Sequence, residues 1–491
     1  MNEYYTAQDH FSIVPAIMLA LFGCTVLLFE FFIRDSRVRK QWLLGISFVG
    51  LAFTAGALWQ QYEALSSQAI SQLTGFQGSI VVDRFSLFFN AVFTAASALV
   101  LLIAYKFLED TGEPLAEFCG LILLAQCGMY FLATGVDLIT AFIGLELMAI
   151  CFYVLVGFHR TDKRSNEAGL KYLLLGGFSS GFLLYGFSLF YGLAGSTKFA
   201  DIAVVAAQRG VSDPILLIAI TTAAVGLLFK ISAVPFHMWA PDAYEGAPTP
   251  VTAYLAVASK AASLALLLRF FTGPLGEVRQ SWETLLTIVA VATLTVGNLA
   301  AISQSNVKRL LAYSSISHAG YMLLGLIAGN QTGIRGIAVY VMVYMFMTIG
   351  AFLVIAAMHR QGSPAEDIDD FAGLIHRHPA YAIWMLIFLV SLAGLPPTAG
   401  FLGKYYIFLS LLETGHYALA VIGTLYVAVS LYYYFRIVRS MFTSETDTPA
   451  AIYTSVGLRV SLIATGLATI IIGVYPEPFL RFASAVTGGQ P

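Results

Sequence analysis

The stretch GLLFKISAVPFHMWAPDAYEGAPTPV, from Gly226 to Val251, decides how this chain folds. It starts as an apolar helix that carries Lys230 to membrane depth, and Lys260 follows in the next apolar run. Between the two lysines stand the prolines Pro235, Pro241, Pro248 and Pro250. A lysine at the bilayer centre costs about 2.5–3.5 kcal/mol on insertion scales, so two in succession need an explanation. Proline frees helix carbonyls, which are tolerated at this depth only beside protein or a watery cavity. We therefore expect a helix broken at these prolines, and an ion path around the break.

The composition is that of a membrane protein. Of the 491 residues, 58% are hydrophobic and only 11% are charged, whereas about a quarter of residues are charged in soluble proteins. Mean hydropathy is +0.79, and a net charge of -2 gives no reason to expect nucleic acid as a partner. The polar, acidic N-terminus MNEYYTAQDH lacks the basic region of a signal peptide.

The cysteines predict no metal or cofactor site. All of them lie in apolar runs without a CxxC pair, which is typical of buried small residues and not of an iron–sulfur, haem or zinc site. They are Cys24, Cys119, Cys127 and Cys151.

Apolar runs predict fourteen membrane-spanning segments, since a spanning helix needs about 20 mostly apolar residues. They lie near 11–33, 42–62, 84–107, 115–134, 138–158, 167–193, 214–236, 250–271, 283–304, 309–328, 334–358, 380–412 (interrupted), 417–442 and 456–475. An even number of spans places both termini on the same side of the membrane.

Basic residues predict which side that is. One face of the predicted topology holds 15 lysines and arginines, among them Arg34, Arg37, Arg39 and Arg360, and the opposite face holds 7. Because cytoplasmic loops carry the excess of basic residues, both termini are expected in the periplasm.

The chain is predicted to be one polytopic membrane domain over residues 1–491. The longest hydrophilic loops, near 63–82 and 359–379, are too short to fold alone. Internal duplication is indicated by YVLVG (Tyr153–Gly157) and YMLLG (Tyr321–Gly325), which recur 168 residues apart. Short apolar strings also recur by chance, but paired broken helices in two halves are a recognised pointer to a transport site.

Glu146 lies mid-span in IGLELMAICFYVLVGF. Intramembrane acids are costly and usually functional, so we interpret it as a group that modulates proton affinity nearby. The alternative is a carboxylate paired within the bundle for structural reasons. Asp137, at the mouth of the same span, is expected to be an N-cap.

Lys230 and Lys260 are predicted near the middles of their spans. Burial disfavours a charged ammonium, whereas a nearby carboxylate favours it. A buried lysine beside a switchable acid can therefore be loaded and unloaded with a proton. The alternative is a pair of structural salt bridges inside the bundle.

Two further lysines are candidates. Lys404 lies in GLPPTAGFLGKYYIF (Gly394–Phe408), after a double proline that interrupts the twelfth span. We expect a proton-transfer role, with snorkelling to the interface as the alternative. Lys171 lies four residues after Glu167, a spacing that favours a helical ion pair, so a surface pair competes with proton transfer.

Two histidines complete the set of candidates. His318 lies mid-span among serines in AYSSISHAGY and is the better relay candidate, because histidine exchanges protons near neutral pH. His237 follows the hinge proline, and a hydrogen-bonded packing role is equally plausible for it.

Three stretches resemble the antiporter-like subunits of respiratory complex I, a superfamily that includes multi-subunit cation/proton antiporters and membrane-bound hydrogenases. They are KISAVPFHMWAPDAYEGAPTPVTAYLA, RLLAYSSISHAGY and SLAGLPPTAGFLGKYYIF. Within the superfamily, RSNEAGLKYLLLGGFSSGFLLYG and PPTAGFLGK are most similar to the subunit N family of proton-pumping NADH:quinone oxidoreductases. A sister subunit carries an acid where Lys404 stands, and another has a long lateral C-terminal helix for which the last span leaves no room.

The resemblance implies a fourteen-helix fold with two inverted five-helix repeats, over 115–271 and 283–442. It also implies proton-channel roles for Glu146, Lys171, Lys230, Lys260 and Lys404. The resemblance also implies that FMN and iron–sulfur clusters belong to partner subunits. This chain itself shows neither a glycine-rich nucleotide fingerprint nor a metal-ligand cluster. We therefore expect a proton-translocating subunit of a quinone-reducing complex. A cation/proton antiporter subunit and a non-conducting scaffold are the alternatives.

Overall fold

The computed structural model describes residues 5–32, 36–67, 70–358, 366–443, 452 and 454–487. Two of the basic residues used to predict the topology, Arg34 and Arg360, lie outside the described residues. The side chains of Arg37 and Arg39 are likewise not described.

The structure is almost entirely helical, which confirms the predicted all-α membrane fold. The helices are α1 Ala7–Phe29, α2 Ser36–Ser67, α3 Arg84–Thr111, α4 Leu115–Thr134, α5 Leu138–Val156, α6 Lys163–Ala194, α7 Phe199–Arg209, α8 Pro214–Lys230, α9 Trp239–Gly246, α10 Thr249–Tyr254, α11 Lys260–Thr272, α12 Gln280–Ile302, α13 Val307–Ala328, α14 Gln331–Ala357, α15 Leu374–Arg377, α16 Pro379–Ala393, α17 Ala399–Glu413, α18 Tyr417–Thr443, α19 Val456–Val474 and α20 Glu477–Ser484.

Among the described residues, 12 helical segments are long and apolar enough to cross a membrane. One of them, Thr249–Thr272, consists of α10, a π-helical turn over Leu255–Ser259, and α11. Two shorter apolar helices, α8 and α16, accompany them. Each predicted span overlaps one of these segments.

The non-helical segment after Lys230 is shorter than the series of prolines from Pro235 to Pro250 suggests. Helix α8 ends at Lys230, and α9 begins at Trp239 after a non-helical hinge that contains Pro235. The expectation that the helix also breaks at Pro241 and Pro250 is wrong, because these prolines lie in the first turns of α9 and α10. The first turn of a helix leaves its N–H groups without intrahelical partners, so proline is tolerated there.

Besides the hinge helix α9 and the short helix α15, a hairpin and two further helices of the described residues lie outside the predicted spans. Strands β1 (Gln72–Gly75) and β2 (Ile80–Asp83) form an antiparallel hairpin within the predicted loop 63–82. Helix α7 connects α6 to α8, and α20 follows the last span. Four-residue strands are too short for their alternation to stand out in a sequence.

The centre of the bundle is formed by Thr249–Thr272, α13 and α14, whose apolar lengths are almost completely buried. Helices α1, α2, α6, α18 and α19 lie outside them and expose apolar side chains. The expectation that all four cysteines are buried is wrong for Cys24, which lies on the outer face of α1, since only a central helix is covered on every side.

Candidate functional site

Lys230 is the last residue of α8 and is 2% exposed. Its Nζ donates to the Tyr153 hydroxyl at 3.1 Å and lies 5.4 Å from the centre of the Tyr153 ring. The helix end beside it is completed by Trp239, whose Nε1 donates to the Phe229 carbonyl at 3.0 Å. Among the described residues, no carboxylate forms an ion pair with Lys230. The buried ammonium is therefore held by a neutral hydroxyl.

Glu146 is half-buried on α5, and its carboxylate accepts a hydrogen bond from the Ser180 hydroxyl of α6. A direct ion pair between Glu146 and Lys230 is absent from the described part of the chain. The two groups nevertheless interact electrostatically.

Lys260 directly follows the π-helical turn, a feature that is frequent at functional sites. It is 2% exposed, and its Nζ donates to the carbonyl of Ser315 at 2.6 Å and to the Ser315 hydroxyl. That hydroxyl also accepts a hydrogen bond from Tyr344 at 2.7 Å and lies 3.1 Å from the Tyr244 hydroxyl. Lys260 therefore also has hydroxyl and carbonyl partners in place of a carboxylate.

His318 is buried between two tyrosines. Its Nδ1 lies 2.6 Å from the Tyr340 hydroxyl and its Nε2 lies 3.2 Å from the Tyr434 hydroxyl. Its ring centre is 5.1 Å from that of Tyr344, which bonds the same serine as Lys260. Both ring nitrogens thus have hydroxyl partners that can give or accept a proton.

Lys404 lies in α17, in the second half of the interrupted twelfth span, and is 3% exposed. Its Nζ donates to the carbonyls of Leu392 and Ala393, at 3.1 and 2.8 Å. These carbonyls end α16 and have no intrahelical partner, and a cation is favoured at this negative end of a helix. The Tyr321 ring centre is 4.9 Å from the ammonium. Lys404 therefore points inward, and the snorkelling alternative does not describe its position.

Glycine is required at Gly394, next to this ammonium. The residue has a φ of +84°, and an added Cβ would lie 2.7 Å from Cδ of Lys404. The break in the span and the position of the lysine therefore depend on each other.

Lys171 lies at the surface, with a side chain that is 46% exposed. The predicted ion pair with Glu167 forms, at 2.7 Å, and a second pair joins Lys171 to Asp242 of α9, at 2.9 Å. Arg309 of α13 pairs with Asp242 at 2.7 Å and with Glu245 at 2.8 Å. This ionic cluster ties α6, α9 and α13 together.

Asp242 is the centre of the ionic cluster. Burial raises the pKa of its carboxyl, but hydrogen bonds from Lys171 and Arg309 outweigh burial, so the pKa lies below the ordinary value of 3.8. The carboxylate therefore remains ionised across the physiological pH range.

Lys308 anchors the C-terminal end of α9, where Arg309 also pairs with Glu245. Its buried Nζ donates to the carbonyls of Glu245 and Ala247, each at 2.8 Å, and pairs with Glu366 at 3.0 Å. A water-accessible cavity of about 270 Å³ opens beside Lys171, Asp242 and Arg309. Because Trp239 bonds the end of α8, the short helix after the hinge is fixed at both ends, next to an opening to solvent.

The remaining predicted residues lie as follows. Asp137 caps α5, as predicted, by accepting from the backbone N–H groups of Ile139 and Thr140 at 2.9 and 3.2 Å. His237 lies in the hinge, and its buried Nδ1 has no hydrogen-bond partner among the described residues. The structure does not bond it to any of the buried lysines.

Residues 135–430 match the family described as NADH:quinone oxidoreductase/Mrp antiporter, transmembrane. The NADH-quinone oxidoreductase subunit N 2 of Solibacter usitatus is 64% identical, over 98% of this chain and 98% of its own. The chain belongs to this antiporter-like family.

Solved structures agree with this membership. A chain of respiratory complex I from Thermus thermophilus with bound aureothin is 30% identical, with a TM-score of 0.79 over 96% of this chain and 99% of its own. A chain of the membrane-bound sulfane sulfur reductase, an archaeal respiratory membrane complex, has a TM-score of 0.86 over 97% of both chains. At 24% identity, this second likeness shows the antiporter-like fold alone.

In this antiporter-like chain, Glu146 and the buried lysines have partners that sequence reasoning missed. Hydroxyl groups are common in membrane helices, so nothing marked Ser180, Ser315 or Tyr344 in advance. The one available signal was the repeat of YVLVG and YMLLG, because Tyr153 contacts Lys230 and Tyr321 contacts Lys404. No group of three or more metal-binding side chains was found in the described ranges.

Proposed function

We propose that this chain moves protons across the bacterial inner membrane as a membrane subunit of a proton-translocating NADH:quinone oxidoreductase. The observation that carries the proposal is that Lys230, Lys260 and Lys404 are buried without a paired carboxylate among the described residues. A buried ammonium is expensive unless it is paired, so each lysine can release and regain a proton.

The proposed path uses the aromatic and hydroxyl groups between the lysines. From Lys260 it runs through Ser315 and Tyr344 to His318. From His318 it continues through the Tyr340 hydroxyl towards Lys404, whose ammonium lies 4.9 Å from the centre of the Tyr321 ring. Glu146 sets the proton affinity of Lys230 at the other end. Lys171, in its solvent-accessible cluster, is proposed to supply protons to the path.

We propose that residues 115–271 and 283–442 are two related repeats, each with one broken span. The matching tyrosines support this, since Tyr153 packs on Lys230 in the first repeat and Tyr321 packs on Lys404 in the second. Lys230 lies at the C-terminal end of α8, and Lys404 lies beside the C-terminal end of α16. In both repeats the spanning helix is interrupted at that end.

The partners are the other membrane subunits of the complex, including sister antiporter-like subunits, and a hydrophilic redox arm. FMN and iron–sulfur clusters are proposed to reside in that arm. The apolar outer faces of the spans contact lipid. Electron transfer in the hydrophilic arm then drives proton movement in this chain through contacts between subunits.

A cation/proton antiporter subunit is the second candidate, because the family description includes Mrp antiporters. A membrane-bound hydrogenase would use the same fold. The subunit N relative, which matches the chain over nearly its whole length, favours the NADH:quinone oxidoreductase.

The experiment that tests the function uses inverted membrane vesicles that contain the complete complex. NADH oxidation is expected to acidify the vesicle interior, and a quinone-site inhibitor is expected to stop acidification. Vesicles from cells lacking this chain should show no NADH-driven acidification. A sodium gradient that drives proton movement without NADH, at rates matching the NADH-driven rate, would support the antiporter instead.

Both termini are predicted to face the periplasm, from the excess of basic residues on the opposite face. Alkaline phosphatase fused after the last residue is therefore expected to be active, and a fluorescent protein that folds only in the cytoplasm is expected to stay dark. The opposite pattern would refute the orientation or the even number of spans.

A further inference from the structure

The proposed function leaves open how a half-buried acid on α5 controls a lysine that is fully buried on α8. Glu146 and Lys230 form no direct ion pair in the described part of the structure. Two hydroxyl groups lie between them instead. Ser180 donates to the Glu146 carboxylate, and Tyr153 accepts from the Lys230 ammonium at 3.1 Å. Gly176, one helical turn before Ser180 on α6, lies directly against the Tyr153 hydroxyl.

The helix geometry fits this arrangement. Tyr153 follows Glu146 by seven residues, about two turns of α5, so both side chains lie on one face. On α6, Gly176 and Ser180 are one turn apart and face the same two residues. A Cβ added at Gly176 would lie 2.1 Å from the Tyr153 hydroxyl oxygen, so the bare glycine makes room for that hydroxyl.

The Tyr153 ring is held on its other sides. It packs edge-on against Tyr172 with ring centres 4.7 Å apart, and Tyr172 stacks on Trp239 at 4.3 Å. Trp239 begins α9 and bonds the end of α8 beside Lys230. The tyrosine hydroxyl is thus positioned by the same residues that form the hinge.

Resting on the proposed function, we propose that Tyr153 and Ser180 are positioning residues that form a hydroxyl bridge between Glu146 and Lys230. The ammonium donates to Tyr153, Tyr153 donates to Ser180, and Ser180 donates to the ionised Glu146. All three hydrogen bonds run in one direction, and such chains strengthen one another in a low dielectric. The bridge keeps Lys230 protonated while Glu146 is ionised, and it weakens when Glu146 is neutralised or moves away.

The second repeat lacks this bridge, although its tyrosine occupies the matching position. The Tyr321 ring faces Lys404, but its hydroxyl donates to the Gly423 carbonyl at 3.1 Å. The hydroxyl bridge is therefore a property of the first repeat, where Glu146 stands.

The test uses Tyr153→Phe in the complete complex, which removes the hydroxyl and keeps the ring. The number of protons translocated per NADH oxidised is expected to fall about tenfold, the scale of a lost charge-assisted hydrogen bond. Ser180→Ala should behave alike, and Ser180→Thr, which restores a hydroxyl, should recover pumping. The matched control is Tyr254→Phe, which removes a buried hydroxyl bonded to Ser97 at 2.8 Å; it should leave the ratio unchanged.

Two neighbouring glycines give an independent test. Gly176→Ala places a methyl group against the Tyr153 hydroxyl, whereas nothing lies within 4 Å of a Cβ added at Gly177. We expect Gly176→Ala to lower the proton ratio and Gly177→Ala to leave it unchanged, with equal amounts of assembled complex. A structural defect would lower the amount of complex and keep the ratio.

Wild-type proton ratios in Tyr153→Phe and Ser180→Ala would overturn the bridge, as would equal losses in the two glycine variants. Lys230→Ala separates this failure from failure of the proposed function. If it too translocates protons normally, the proposed path is wrong; if it does not, the bridge alone is wrong.

Discussion

Replacing Lys230 with alanine is expected to reduce NADH-driven proton translocation about a hundredfold, the low end of the range for a group that transfers protons. Alanine is comfortable in a membrane helix and leaves no buried charge, so the complex should still assemble. The measurement is vesicle acidification per NADH oxidised, with the amount of complex determined in the same membranes. Lys163→Ala, which removes an exposed lysine at the start of α6, is the control and should translocate normally.

Lys230→Arg should restore little of this loss. Arginine stays protonated whatever its surroundings, so it cannot release the proton that the path requires. If Lys230 served only to hold the bundle together, the alanine variant would fail to assemble and arginine would rescue it. That outcome, or normal pumping by Lys230→Ala, would contradict the central role of this lysine.

The second large effect concerns Glu146 and Lys230 together. Glu146→Gln keeps the shape of the side chain and removes its charge, so Lys230 loses the anion that favours its protonated form. Proton translocation should fall about tenfold, and adding Lys230→Ala should bring it only to the level of Lys230→Ala alone. Residues that act as one unit show this non-additivity.

The cycle is measured as protons translocated per NADH in the wild type, both single variants and the double variant. Glu477→Gln is the control, because Glu477 is an exposed acid of α20 whose partner is Arg481; it should leave proton translocation unchanged, both alone and combined with Lys230→Ala. A double variant of Glu146 and Lys230 that loses the full product of the single effects would show that they act independently.

The candidate lysines could be found from sequence because the free energy of placing a lysine in a membrane is high. It can also be recognised from the neighbouring apolar residues alone. Lys230, Lys260 and Lys404 each interrupt an apolar run, and the structure buries all three. The resemblance then supplied roles for them. Their bonding partners could not be predicted, since the Ser315 carbonyl that binds Lys260 is 55 residues away on another helix.

Lys171 illustrates a different limit. Its spacing from Glu167 correctly predicted a helical ion pair, because that pair lies within one helix. The second partner, Asp242, is 71 residues away and reaches Lys171 only because α9 packs against α6. Sequence reasoning therefore found half of the ionic cluster.

The sequence by itself determined that this chain spans the membrane many times, where its spans lie, and which charged residues are carried to depth. These properties follow from sums over about 20 neighbouring residues, so they need no knowledge of packing. Only the tertiary structure decided that Glu146 bonds Ser180 and that Lys230 bonds Tyr153. A hydrogen bond tolerates an error of only a few tenths of an ångström, and that distance depends on how closely α5, α6 and α8 approach one another, which Gly176 permits.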